Sequence, residues 1–302
     1  MNKSLIILFL TLPILLFSCD DKKEPVLRNS YRISGIKCDK DNYSQKFEYN
    51  EKGLINRWEE HYGDNWDKTD IESSFKYDDN NNVIIISSDE FLSGIDRRIF
   101  SDTLFLNDKG MALRAKGEVV IYHDYKNDDD HGYIIQKAYT ADFKYDSLNQ
   151  LIYIGTSEKK SDFSGWEEQK SLDWCVEMKW EDGNLVESGS YYSPSRRPMS
   201  KTTYSYYGGN SIEYFPILQT SKLRFFYVPL QYQGVFGKQS DDLVKGITFT
   251  NYGYNGESIG SSTFDYSYYI STSIHDSQIE AFSRVYQYNG EEQKYIVSWE
   301  PK

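Results

Sequence analysis

The chain has 302 residues, a formal net charge of −12 and 16% aromatic residues, 27 of them tyrosine. That acidic balance leaves no basic stripe to neutralise phosphates and excludes nucleic acid as a partner. By itself it is the charge of a protein kept soluble at a charged cell surface.

At the N-terminus, Lys3 precedes twelve uncharged residues, Leu5 to Leu16. This is the core of a signal peptide, too short for a spanning helix of about 20 residues. Leu16-Phe17-Ser18-Cys19 resembles a lipobox, whose cysteine is acylated and becomes the mature N-terminus. An ordinary secretory signal with an incidental cysteine is the competing reading; it leaves unexplained a small residue and a cysteine placed directly at the end of the apolar run. The expected organisation is a signal peptide over 1–18, a lipidated tether over 19–30 and one β-hairpin domain over 31–302. Cleavage before Cys19 leaves 284 residues with a net charge of −13.

From Tyr31 onward one short pattern recurs. In Phe143-Lys144-Tyr145-Asp146, apolar and polar residues alternate with the period of a half-buried strand. Asp146, Ser147 and Asn149 supply turn chemistry, and Leu151 to Ile154 restart extended structure. Related stretches begin at Phe47, Phe75, Leu104 and Met178, with weaker echoes at Tyr204 and Tyr286. Taking the residue before each turn as a marker (Tyr49, Tyr77, Leu106, Tyr145, Trp180), the intervals are 28, 29, 39 and 35 residues. Each interval holds two strands and two turns. Spacing this variable argues against a rigid solenoid. It predicts an all-β, mostly antiparallel up-and-down meander whose sheet is curled or partly closed.

No stretch reads as a long amphipathic helix. The repeat pattern breaks between Phe215 and Leu243, where Pro216 and Pro229 exclude central strand positions. This segment is also too apolar for a free loop, so it is expected to cross one end of the sheet. The repeats thus run to about residue 214, and residues 215–302 pack on the same sheet, ending in a strand, Tyr295 to Trp299, that pins the C-terminus. Cys38 and Cys175 lie 137 residues apart. The reading favours two separately packed thiols over a bridge, although an oxidising compartment permits either.

The Phe-x-Tyr-Asp-x-x-(Asn/Gly)-x-Leu pattern resembles the Tyr-Asp hairpin repeat of large bacterial wall-associated proteins. The chain after Tyr31 is similar to a family of Bacteroides-type lipoproteins of unknown function built from such hairpins. The similarity includes Leu230-Gln-Tyr232-Gln-Gly234-Val-Phe-Gly237 through Leu243. The resemblance implies an outer-membrane lipid anchor, with Asp20-Asp21-Lys22-Lys23-Glu24 as a surface-export signal. A periplasm-facing position is the alternative, since Asp after the cysteine marks inner-membrane retention in other bacteria. It brings no catalytic or ligand residues.

The search for chemistry yields little. His61, His123, His131 and His275 lack metal-ligand spacing. The acidic runs Asp78–Asn82 and Asp128–Asp130 read as solvated turns rather than calcium loops. No nucleophile elbow or phosphate-binding glycine motif occurs, and no cofactor is predicted. The expected role is a non-catalytic binding or structural module; the alternative is a glycan-acting hydrolase using carboxylates that the sequence does not identify. The expected partners are the membrane, through the lipid on Cys19, and a glycan or an envelope protein. The candidate ligand residues are Trp66 with Asp64 and Asn65, and Trp166 with Glu167, each tryptophan lying in or beside a turn. Exposed rings there would stack on sugars; the competing reading packs them over the neighbouring hairpin.

Overall fold

Asn50 shows how the repeat turns the chain. Its Oδ1 accepts the backbone N–H of Lys52 and of Leu54, both at 3.0 Å, while Gly53 N–H donates to the Asn50 carbonyl at 2.9 Å. Asn107 holds Lys109 and Met111 in the same way, and Asp146 holds Leu148 and Gln150. The fourth residue of each turn lies in the left-handed region: Gly53 at φ +75°, Gly110 at +77° and Asn149 at +62°. A β-carbon is strained in that conformation unless the residue is asparagine-like, which is why glycine or asparagine recurs there.

These turns and their longer counterparts connect the strands of a computed structural model, which describes residues 31–38, 40, 42–63, 69–79, 82–91, 96–123, 134–162, 174–193, 195–208, 227–272 and 277–301. The strands are β1 (Tyr31–Cys38), β2 (Tyr43–Tyr49), β3 (Ile55–Tyr62), β4 (Thr69–Tyr77), β5 (Val83–Phe91), β6 (Asp96–Leu106), β7 (Ala112–His123) and β8 (Ile134–Tyr145). They continue as β9 (Leu151–Asp162), β10 (Trp174–Glu181), β11 (Asn184–Tyr192), β12 (Arg197–Tyr206), β13 (Val244–Tyr252), β14 (Ser258–Thr272), β15 (Ser277–Tyr286) and β16 (Glu292–Pro301). Each strand pairs antiparallel with its sequence neighbours, and β1 pairs with β16, from Tyr31↔Pro301 to Lys37↔Ile296. The meander is therefore a closed barrel of 16 strands, and the closure is complete.

The marker residues form a belt at one end of the barrel. Tyr49 donates its hydroxyl to the Ile33 carbonyl (2.6 Å), Tyr77 to Ile55 (2.9 Å), Tyr206 to Leu185 (2.6 Å) and Tyr268 to Val244 (2.8 Å). The indole N–H of Trp180 reaches Leu151 (2.8 Å), and that of Trp299 reaches Ile279 (2.9 Å). In each case the ring on an even-numbered strand bonds to the odd-numbered strand before it. Ladder irregularities immediately precede Tyr49, Leu106, Tyr145, Trp180 and Tyr206, and these bulges re-aim the marker side chain. Of the weaker echoes, the one containing Tyr206 joins the belt. The other falls at the opposite end, where Tyr288 is almost fully exposed.

The crossing segment closes the belt end. After a short helix, α1 (Val228–Gln231), the chain runs from turn to turn across the barrel. The Tyr77 hydroxyl lies 3.0 Å from the Gln233 side-chain amide, Ala112 N–H donates to the Val235 carbonyl (2.8 Å), and Lys238 and Asp241 N–H donate to the carbonyls of Asn149 and Gly183. Asn184 and Asp242 then exchange two bonds of 2.9 Å, and Tyr207 N–H donates to Leu243. Tyr227, Leu230, Val235, Phe236 and Leu243 are buried in the single core cluster. Phe236 packs against Phe143 and Tyr232 against Phe47, each with ring centroids 5.4 Å apart. This strap is the expected crossing segment, observed over 227–243.

Away from the bulges, inward-facing positions alternate with outward ones along the described strands, as the pleat requires. Phe47, Trp58, Phe75, Ile85, Leu104, Val119, Phe143, Val176 and Val297 are buried inside. Lys46, Arg57, Lys76, Lys116, Lys144 and Lys179, at alternate positions of these strands, lie on the outer face. Ion pairs lace that face: Arg57 with Glu59 and Glu72, Arg114 with Asp142, Lys201 with Glu187, and Arg32 with Glu300. Cys38 and Cys175 are free, buried thiols on β1 and β10.

Candidate functional site

The predicted ligand residues Asp64, Asn65, Trp66, Trp166 and Glu167, and the predicted lipidation site Cys19, lie outside the described residues. The described strands on either side of them in sequence are β3 and β4, and β9 and β10.

Inside the barrel, hydroxyl pairs such as Ser73 with Ser87 and Ser190 with Ser200 are joined by two clusters that hold charged groups. Asp102 on β6 is 2% exposed. Asp102, Gly117 and Tyr139 sit side by side on β6, β7 and β8. Tyr139 reaches across Gly117 to donate its hydroxyl to Asp102 Oδ1, and Tyr227 of the strap donates to Oδ2 at 2.5 Å. A β-carbon at Gly117 would collide with both Asp102 and the Tyr139 ring. The glycine is the gap through which this buried carboxylate is satisfied, and the carboxylate in turn fastens the strap.

The second cluster surrounds Arg284 on β15. Its guanidinium lies 5.2–5.5 Å from the ring centres of Phe264, Tyr286 and Tyr295. It donates to Gln293 Oε1, which also accepts from Tyr295 at 3.0 Å. Nearby, Gln45 donates to Glu60 Oε2 at 2.8 Å. Burial, and then the Glu60 carboxylate, push the Tyr43 hydroxyl well above its ordinary range. Burial likewise pushes Tyr204 and Tyr266 up to about 12. The Asp102 carboxylate with its two phenols, Gln293 with Arg284 and Tyr295, and Gln45 with Glu60 bond to one another, as most buried polar groups do. They belong to the packing of the wall.

A concave feature formed by described residues lies outside, on β12–β14. Two rows of side chains build it: Ser205–Gly246–Asp265, and beside it Thr203–Thr248–Thr263. Gln287, just past β15, completes the rim. The groove encloses about 380 Å³. Gly246 is its floor: a β-carbon there would lie 2.9 Å from Ser205 Oγ and 3.3 Å from Asp265 Oδ1. Gln287 Nε2 donates to Asp265 Oδ2 at 2.8 Å, and the Thr248 and Thr263 hydroxyls are 3.1 Å apart. Tyr204 touches the groove, but its hydroxyl lies 3.4 Å from the buried Ser188 hydroxyl.

Among the described residues the groove contains one carboxylate, so the paired-carboxylate hydrolysis considered from sequence is not built there. Among the same residues no three His, Cys, Asp or Glu side chains gather as a metal site. Asp78, in one of the acidic runs, uses its carboxylate on the backbone and side-chain N–H groups of Asn82. The groove is invisible in sequence because it needs three strands to form. Its trace there is the run of outward serines and threonines on β12–β14, where other strands place lysine and glutamate.

No family model matches the chain, and no curated protein does. Among solved structures, the chain is similar to a porin-like protein from Bacteroides uniformis, with a TM-score of 0.51 and 16% identity over 89% of this chain and 98% of that one. A porin-like protein from Bacteroides vulgatus gives a TM-score of 0.51 and 14% identity over 88% and 97%. At these identities the likeness is one of fold.

Proposed function

We propose that this protein is a non-catalytic module of the bacterial cell envelope, a barrel that stands in water, tethered to the outer membrane by lipid on Cys19, and serves in binding or support. The sidedness of the wall carries this reading. A membrane barrel turns an apolar band about 25 Å tall toward lipid, and each lysine or arginine placed at its midplane costs about 2–4 kcal/mol. Here the described outer face carries ion pairs on β1 with β16, β3–β4, β7–β8 and β10–β12, and most of the aromatic and aliphatic side chains point inward, with Ile84, Ile86, Leu113 and Ile296 exposed among the charges. The strap fills the space at the belt end, so the likeness to porin-like barrels concerns strand arrangement and not a conducting lumen. The address rests on the N-terminal sequence, and the Bacteroides barrels are consistent with an envelope setting.

Membrane fractionation tests this. The wild-type protein should pellet with membranes, carry an acyl mass on its N-terminal peptide and require detergent for release. Cys19→Ala should give an unacylated barrel that stays folded and monodisperse without detergent and shows no conductance in planar bilayers. An unacylated protein that precipitates without detergent but forms pores in lipid would overturn the proposal.

A further inference from the structure

We infer that the groove on β12–β14 is a binding site for a neutral, hydroxyl-rich ligand, namely an uncharged sugar. This deepens the binding role proposed above and rests on it. The argument is one of chemical fit. About 380 Å³ falls within the range of small-molecule sites. The lining offers hydroxyls from Thr203, Ser205, Thr248 and Thr263, each able to donate and to accept. It adds one carboxylate, Asp265, fixed through Oδ2 by Gln287, with Oδ1 directed over the glycine floor. A carboxylate beside hydroxyls suits adjacent sugar hydroxyls, which donate to the carboxylate and exchange bonds with the threonines.

The alternatives fit less well. Among the described residues no lysine or arginine lines the groove, so an anionic ligand meets Asp265 with nothing to offset the repulsion. A divalent cation would find a single carboxylate where several oxygen ligands are needed. A flat apolar ligand lacks a surface to cover, since the one aromatic residue of the described lining, Tyr204, is buried. Gly246 has no left-handed requirement, so its presence is not dictated by backbone conformation; it keeps the floor low where a side chain would fill the groove.

Saturation-transfer NMR on the full mature protein in detergent micelles tests the site, with neutral methyl glycosides as probes and methyl glucuronide as the anionic comparison. Neutral glycosides should receive saturation and the glucuronide should not. Asp265→Asn should weaken binding about tenfold, the factor expected for loss of a charge-assisted hydrogen bond. Gly246→Val should abolish it, and Thr248→Val, which keeps the shape and removes one hydroxyl, should weaken it by a smaller factor. Each variant is compared with wild type by thermal melting, so that lost binding with an unchanged melting temperature counts for the site. Absence of saturation from every neutral glycoside, or saturation unaltered by both Gly246→Val and Asp265→Asn, would refute the inference. Failure here leaves the fractionation result untouched, and so separates a wrong ligand class from a wrong cellular address.

Discussion

The two faces of the barrel wall do opposite work. The inner face is built from rings and branched side chains, and many of its polar groups are bonded to one another. Much of the outer face carries charges in cross-strand pairs, with exposed apolar residues such as Ile84 and Ile86 between them, and on β12–β14 hydroxyls gather beside Lys201. Phe143 and Lys144 are adjacent in sequence, yet one is 4% exposed in the core and the other is open to solvent. Stability therefore resides in one face, and whatever the protein recognises through its wall must use the other.

The largest effect that would break this contrast is alkaline. Burial holds Tyr204 and Tyr266 at about 12, against 10.0 for an unburied tyrosine. Each keeps its proton in the folded chain after the unfolded chain has lost it. Their stabilisation is complete below pH 10 and is lost as the pH rises from 10 through 12. Each tenfold gain in proton affinity on folding is equivalent to about 1.4 kcal/mol, so the two groups together contribute several kcal/mol. Unfolding should track the buried tyrosinate absorbance in that window. Tyrosines that all titrate near pH 10 with the fold intact would mean that the inner face is wet.

The next test compares neighbours on opposite faces. Phe143→Ala removes a ring packed against Phe236 and should lower stability by about 3–5 kcal/mol in denaturant melts. Lys144→Ala should stay within about 0.5 kcal/mol. Equal losses at the two positions would contradict the facing of β8.

This alternation is legible in the amino-acid sequence, because a period of two and an Asx-led turn are local. Phe143, Tyr145 and Asp146 announce strand and turn within a few residues. The strap is legible as a break in grammar, since Pro216 and Pro229 cannot sit in central strands. Closure is not. It depends on β1 meeting β16, residues about 270 apart in sequence, and nothing in Tyr31–Cys38 names that partner. Asp102 is equally silent: an aspartate in an alternating strand looks like any outward residue until Tyr139 and Tyr227 arrive from elsewhere. The groove is hidden for the same reason, its residues being drawn from three strands and the start of a turn.

Asp102 supplies the third test, where the inner face meets the strap. Tyr227→Phe keeps the ring against Phe236 and removes the hydroxyl that donates to Asp102 Oδ2. Hydrogen bonds to a charged group contribute about 1.5–3 kcal/mol, and that is the expected loss on denaturation. Hydrogen exchange should localise it, with Ala112 and Lys238, whose N–H groups join strap to wall, exchanging faster than β15 and β16. Uniform acceleration across the barrel would mean that the strap unfolds only together with the wall.

The smallest effect belongs to the outer face. Arg114 Nε donates to Asp142 Oδ1 at 2.7 Å across β7 and β8, and both side chains are about half exposed. Water competes for such a pair, and holding two long side chains together costs entropy, so exposed pairs contribute little. A double-mutant cycle with Arg114→Gln and Asp142→Asn should return a small favourable coupling at low salt. At 1 M salt the screening length falls to about 3 Å, and the coupling should shrink toward zero. The inner-face variants provide the contrast, because the cost of losing the Phe143 ring has no charge to screen and should persist at high salt. A coupling between Arg114 and Asp142 that is large and insensitive to salt would place these residues in a dry environment. It would mean that something covers the outer wall at β7–β8, and the simple division between a dry inside and a wet outside would fail at that point.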